Sequence, residues 1–135
     1  MSTTRLIAKN LTYADYLELP EMHCRYDIVD GEFIAMTAAP AFLHQWIIKR
    51  LVELVDRHVE RYSLGVVVPA PMDVVIRKEP RVHTRQPDVL FISTARGGTL
   101  EKLADAINIR IAPDLVIEIL STDELRREQI GRAHV

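Results

Sequence analysis

Two acidic residues stand where acids are costly. Asp88 follows Pro87 at the mouth of the apolar run Val89-Leu90-Phe91-Ile92. Glu118 interrupts Leu115-Val116-Ile117-Glu118-Ile119-Leu120, whose neighbours point to a strand buried on both faces. An ionised carboxylate in such a place is expensive unless it is paired or binds a metal. If the two strands are neighbours, the carboxylates lie ~5 Å apart across the sheet and can share one ion. Two oxygen donors suit Mg2+ or Mn2+, ions that prefer oxygen and keep several waters. Such an ion would polarise a phosphate and lower the pKa of an attacking water. The bland alternatives are a strand-entry cap for Asp88 and a buried ion pair with an arginine for Glu118. Asp114 competes for the pairing, but four residues along one strand separate it from Glu118 by ~13 Å, which favours Asp88.

Other polar residues carry weaker signals. Glu32, just past a predicted turn, is either a third acid of the site or an exposed hairpin residue. His44 and Gln45 open a long predicted helix and either face the metal and phosphate or make helix-start contacts. Arg77, Lys78, Arg81, His83 and Arg85 form the one local basic cluster, leading into Pro87-Asp88. Arg81 and Arg85, with His44, are candidate phosphate contacts; a solvated loop is the alternative. His23-Cys24 lacks further ligands at zinc spacing, and no GxSxG motif supports a serine nucleophile.

The elements that must position these residues are legible. Thr12, with Asp15 three residues later, predicts a capped helix over Leu11–Leu19, ended by Pro20. Tyr26–Val29 and Glu32–Met36 flank Asp30-Gly31, a type I′ hairpin signal. Ile47, Ile48, Leu51, Leu54, Val55 and Val59 give a helical stripe over Phe42–Tyr62, with Gly65 as its C-cap. Val66–Ile76 reads as an edge or bulged strand because of Pro69 and Pro71. Arg77–Arg85 reads as a loop, Val89–Ile92 as a strand, Leu100–Ile107 as a helix and Leu115–Leu120 as a strand. The class is mixed α/β: a central mixed β-sheet flanked by helices and preceded by a hairpin.

The 135 residues suit one domain, and 48% hydrophobic with 27% charged residues is an ordinary globular balance. The net charge of −2 gives no bulk support for nucleic-acid binding, so that claim rests on local features. No apolar run approaches the ~18 residues of a membrane helix. The N-terminus shows no signal-peptide core, and the single cysteine fits a cytoplasmic setting.

The segments LTYADYLELP, YDIVDGEFIAM, PAFLHQWIIKRL, PAPMDVVI, QPDVLFIS and APDLVIEILS occur in an order that resembles the Uma-type restriction-endonuclease family of the PD-(D/E)XK superfamily. The similarity runs from about Leu11 to Ser121. It implies a restriction-endonuclease-like core, divalent-metal dependence and hydrolysis of phosphodiester bonds in DNA, and it allows a homodimer. Asp88 would be the motif Asp and Glu118 the following acid, with Glu32 and Gln45 as further catalytic members. The chain departs from the pattern at Asp27, where the family usually has Glu. It departs again at Leu120, where the general motif has Lys. In the family that lysine has moved to the following helix, and none stands in Arg127–Val135.

Ile130–Val135 resembles a translated sequencing adapter. The expectation is therefore one nuclease-like domain over 1–129, C-terminally incomplete, with a non-native tail over 130–135 and poor order from Ser121 onward. Such a chain would bind metal weakly and cleave poorly. The alternative is a non-catalytic DNA- or protein-binding domain on the same fold.

Overall fold

Asp30 and Gly31 both take positive φ, 49° and 82°, and so close the expected hairpin between β2 (Tyr26–Val29) and β3 (Glu32–Met36). The computed structural model describes residues 4–36 and 39–120. The expectations for Ser121–Val135, including the absent lysine and the tail, lie outside the described residues.

An N-terminal strand without a sequence signal, β1 (Thr4–Ala8), adds to β3 in antiparallel register. Helix α1 (Tyr13–Leu17) starts where its cap predicts: Thr12 Oγ1 accepts from the Asp15 amide, and Asp15 Oδ2 accepts from the Thr12 amide. Helix α2 (Phe42–Arg61) follows, burying Ile48 and Val59. Leu54, counted in the apolar stripe, lies instead on the solvent side at 54% exposure.

The expected single central sheet is two sheets, and every ladder in both is antiparallel. One has the order β1-β3-β2-β6-β5, with β5 at Val74–Arg77 and β6 at His83–Arg85. The other has the order β4-β7-β8, with β4 at Gly65–Pro69, β7 at Val89–Ser93 and β8 at Leu115–Ile117. Pro69 and Pro71 give the reason, since neither can donate to a ladder and β4 cannot run on into β5. The chain crosses from one sheet to the other through Ala70–Asp73 and returns through Gln86–Asp88. Ala70 N–H donates to Asp88 O at 3.0 Å, tying the two crossings together.

Several boundaries differ from the sequence reading, each for a physical reason. Gly65 is not a helix cap; Ser63 takes the left-handed turn at φ 51°, and Gly65 opens β4. A Cβ on Gly65 would stand 2.0 Å from the Ile92 carbonyl oxygen, so close strand pairing requires glycine. The Arg77–Arg85 loop contains β6, because Thr84 pairs with Ile28. The helix expected over Leu100–Ile107 is one turn, α3 (Leu100–Leu103), capped by Thr99. Strand β8 is shorter than expected, and Leu115 and Val116 are about half exposed because the described residues place no strand on its outer side.

Two cores result. Tyr16, Ile28, Phe33, Ala35 and Val82 fill one, against the five-stranded sheet; Val74, Leu90, Ile92 and Ile109 fill the other. Phe33→Ala is expected to lower unfolding free energy by about 3–5 kcal/mol in urea. Leu54→Ala should change it by no more than about 0.5 kcal/mol. Equal losses in the two variants would contradict the assignment of the buried faces.

Candidate functional site

The register of β7 on β8 sets Val89 opposite Ile117, so the residues just beyond, Asp88 and Glu118, face each other at the sheet's end. Asp88 is 2% exposed. The Ile119 amide donates to its Oδ2 at 2.7 Å, and Arg25 Nη1 donates to its Oδ1 at 2.9 Å. His44 Nε2, from the first turn of α2, lies 3.4 Å from Oδ2. Glu118 completes the group through a side-chain hydrogen bond with Asp88.

Glu118 is the carboxyl whose ionisation the surroundings hold back. Burial of its carboxyl, then the field of Asp88 and their shared hydrogen bond, push its pKa up to about 7. The residue as a whole is exposed, which softens the penalty but leaves its direction intact. Asp27 adds to the negative potential, while Arg25 opposes it.

Behind the pair lies a second polar centre. Asp73 is 8% exposed and accepts hydrogen bonds from Tyr16 Oη, Tyr26 Oη and Gln86 Nε2, each at 2.6 Å. Burial and the Asp73 carboxylate raise both phenols well above their usual range, which keeps them as donors. Gln86 is fully engaged: its Oε1 accepts from the Tyr26 amide, its N–H donates to Asp27 Oδ1, and its carbonyl accepts from Arg25 Nη2 at 2.7 Å. These bonds fix the crossing Gln86-Pro87-Asp88 against β2. A cleft of about 1380 Å3 opens beside them, lined among others by Arg25, His44, Gln45, Asp73, Gln86 and Ile119.

Of the residues singled out by sequence, Asp88, Glu118 and His44 come together, and Gln45 joins at the rim through its 3.2 Å contact with His44 Nδ1. Glu32 does not join them. It pairs with Val29 at the turn end of the hairpin, whereas the site adjoins the Arg25–Tyr26 end. Arg81 packs beside Gly31 at that same turn, away from the acids. Arg85 lies nearer, with Nη1 3.1 Å from Asp27 Oδ2. The basic cluster is partly neutralised, since Arg77 pairs with Asp30 and Arg85 with Asp27. Sequence reasoning missed Arg25, Asp73 and Gln86, and it treated Asp27 only as a departure from a family pattern. An acid inside the apolar Met72-Asp73-Val74-Val75 was a usable signal by the logic that found Glu118.

The donor set would suit a hard cation, because the Glu118 carboxyl, whose ionisation is held back, faces the Asp88 carboxylate, and positive charge between them would relieve that penalty. Among the described residues no group of three His, Cys, Asp or Glu side chains forms a fuller shell, so water would supply the remaining ligands.

Comparison with known proteins agrees with this fold. The family model described as "Uma2: Putative restriction endonuclease" matches residues 13–133. A solved structure, titled as a "putative nuclease belonging to DUF820" from Anabaena variabilis, is similar with a TM-score of 0.68 at 22% identity. The match covers 91% of this chain and 65% of that one, and at this identity it speaks for the fold. No curated protein matches. No helix among the described residues is long and apolar enough to cross a membrane.

The raised Glu118 pKa fixes the sign of a pH effect. A carboxyl whose folded pKa lies above its ordinary 4.5 stabilises the fold most below that value, and the contribution fades as pH rises through about 7. Native protein should therefore lose stability from pH 5 to pH 8, by no more than about 1 kcal/mol given the exposure of the residue. Glu118→Gln, which cannot ionise, should flatten that slope in thermal melts. An unchanged slope would show that Glu118 does not hold the proton.

Proposed function

The chain belongs to the Uma2 family, and from that premise and the Asp88–Glu118 pair we propose a nuclease domain that hydrolyses phosphodiester bonds in DNA. In this reading Asp88 and Glu118 hold a divalent cation, Mg2+ or Mn2+. The observation that carries it is a buried carboxylate facing a second carboxyl that gives up its proton only near pH 7. A cation held between two acids this close would favour the ionised form of both. When bound, the cation supplies Lewis-acid polarisation of the phosphate and a more acidic water.

The chain's own residues do the positioning. The Ile119 amide and the tethered crossing at Gln86 fix Asp88, so its carboxylate is oriented before any ligand arrives. His44, against Asp88, and Gln45 beside it line the cleft where a phosphate would enter. Arg85 lies on the same side through Asp27 and is the basic-cluster residue best placed to meet a DNA backbone.

A second reading, a non-catalytic DNA- or protein-binding domain, draws on one observation. Leu120, three residues past the end of β8, occupies the position of the superfamily lysine, so no lysine stands there to stabilise charge on a phosphate.

Calorimetric titration with Mn2+ and nicking of supercoiled plasmid distinguish the two readings. A nuclease should bind Mn2+ and nick plasmid in Mg2+ but not in EDTA. Asp88→Asn should weaken both by more than the about 10–100-fold that outer-shell partners of a metal typically cost. Plasmid left intact while DNA is still retained would put the binding domain first. No Mn2+ binding would remove the cation site itself.

A further inference from the structure

The Asp88–Glu118 pair is not without a positive charge, although the segment after β8 has Leu120 where the superfamily pattern carries lysine. Arg25, one residue ahead of β2 and 63 positions from Asp88, places Nη1 on Asp88 Oδ1 at 2.9 Å. Nη2 is anchored on the Gln86 carbonyl at 2.7 Å. The guanidinium is thus spread between a site carboxylate and a fixed backbone acceptor. Its third donor, Nε, is buried and finds no hydrogen-bond partner among the described residues. The side chain is 25% exposed and lines the cleft, so a ligand entering there meets it.

We propose that Arg25 is the built-in cation of this site: it neutralises Asp88, competes with a divalent cation for that carboxylate, and when displaced offers its guanidinium to a phosphate oxygen. The inference rests on the reading of Asp88 and Glu118 as cation ligands.

Three features support it. Oδ1 of Asp88 is already taken by a cation, so a metal that uses this oxygen must displace or share it. A planar guanidinium suits a phosphate as well as a carboxylate, so a released Arg25 has a natural second partner. The Gln86 carbonyl tethers the guanidinium at the cleft wall whichever anion it meets, because every polar group of Gln86 is itself held in place. The charged groups around Arg25 are Asp88, Glu118 and Asp27, with His44 on the far oxygen of Asp88.

A merely structural Arg25 and a competing Arg25 differ in the sign of one effect. Loss of a structural cross-link would loosen Asp88 and weaken metal binding. Loss of a competitor would strengthen it. The experiment is titration of the full chain with Mn2+ alone, without DNA, comparing native protein, Arg25→Met and Arg25→Lys, with Asp88→Asn as the control. Arg25→Met should bind Mn2+ about fivefold tighter than native protein, the scale of a partly exposed ion pair. It should also lose plasmid nicking, a split that a folding defect does not produce.

Should Arg25→Met not fold, Arg25→Lys carries the test. A lysine reaches Asp88 or Gln86 but not both in one plane, so its Mn2+ affinity should still exceed native by about twofold. Equal or weaker Mn2+ binding in the folded variants, with native binding lost in Asp88→Asn, overturns this inference and leaves the cation site standing. Absence of Mn2+ binding in native protein and variants alike overturns both.

Discussion

Asp88 sits at the end of β7 with 2% of its surface exposed, and a carboxylate so buried must find donors and counter-charge inside the protein. The surrounding architecture meets that demand from four directions. The segment leaving β8 brings the Ile119 amide and the Glu118 carboxyl, and α2 brings His44 in its first turn. The residue ahead of the hairpin brings Arg25, and Ala70 ties the backbone of Asp88 to the opposite crossing. None of these partners is close to Asp88 in sequence, so the carboxylate is satisfied only when both sheets and the long helix are assembled.

The two crossings between sheets give the site its rigidity. Prolines end β4 and send the chain from the three-stranded sheet to the five-stranded one; the return passes through Gln86-Pro87-Asp88. Asp73 and Gln86, one on each crossing, bond directly to each other, and the phenols of Tyr16 and Tyr26 close on Asp73. Each of these buried groups has its partner, so the network rigidifies the junction rather than straining it. The cleft therefore has a stiff floor, while Arg25 and Gln45 at its side remain accessible. A rigid carboxylate beside an adjustable charge would suit the proposed binding of a cation and a phosphate.

Much of this was legible in the chain, and the residues explain which part. The Asp30-Gly31 hairpin and the Thr12 cap are local devices whose partners lie within a few residues, so their signals are complete in sequence. The pairing of Asp88 with Glu118 was accessible because one acid opens an apolar run and the other interrupts one, and burial of a charge is a constraint readable without a structure. Arg25 and Gln86 were not accessible. Arg25 adjoins an ordinary hairpin strand, Gln86 is a common polar residue, and the partners that give them meaning lie about 60 positions away. Glu32 and Arg81 were drawn toward the site by type and proximity in sequence, but the hairpin sets them at its opposite end. The division into two sheets followed from Pro69 and Pro71, which were recognised as an interruption without the direction the chain takes after it.

The central claim is that Asp88 and Glu118 form a cation site now satisfied by a proton and an arginine. Diffraction from crystals soaked in Mn2+, with anomalous differences used to locate the ion, tests it most directly. The account predicts one anomalous peak in contact with both carboxylates, with Arg25 drawn off Asp88 and still near the Gln86 carbonyl. Anomalous signal only elsewhere, with Arg25 unmoved on Asp88, would contradict it and leave the pair as a structural junction of the fold.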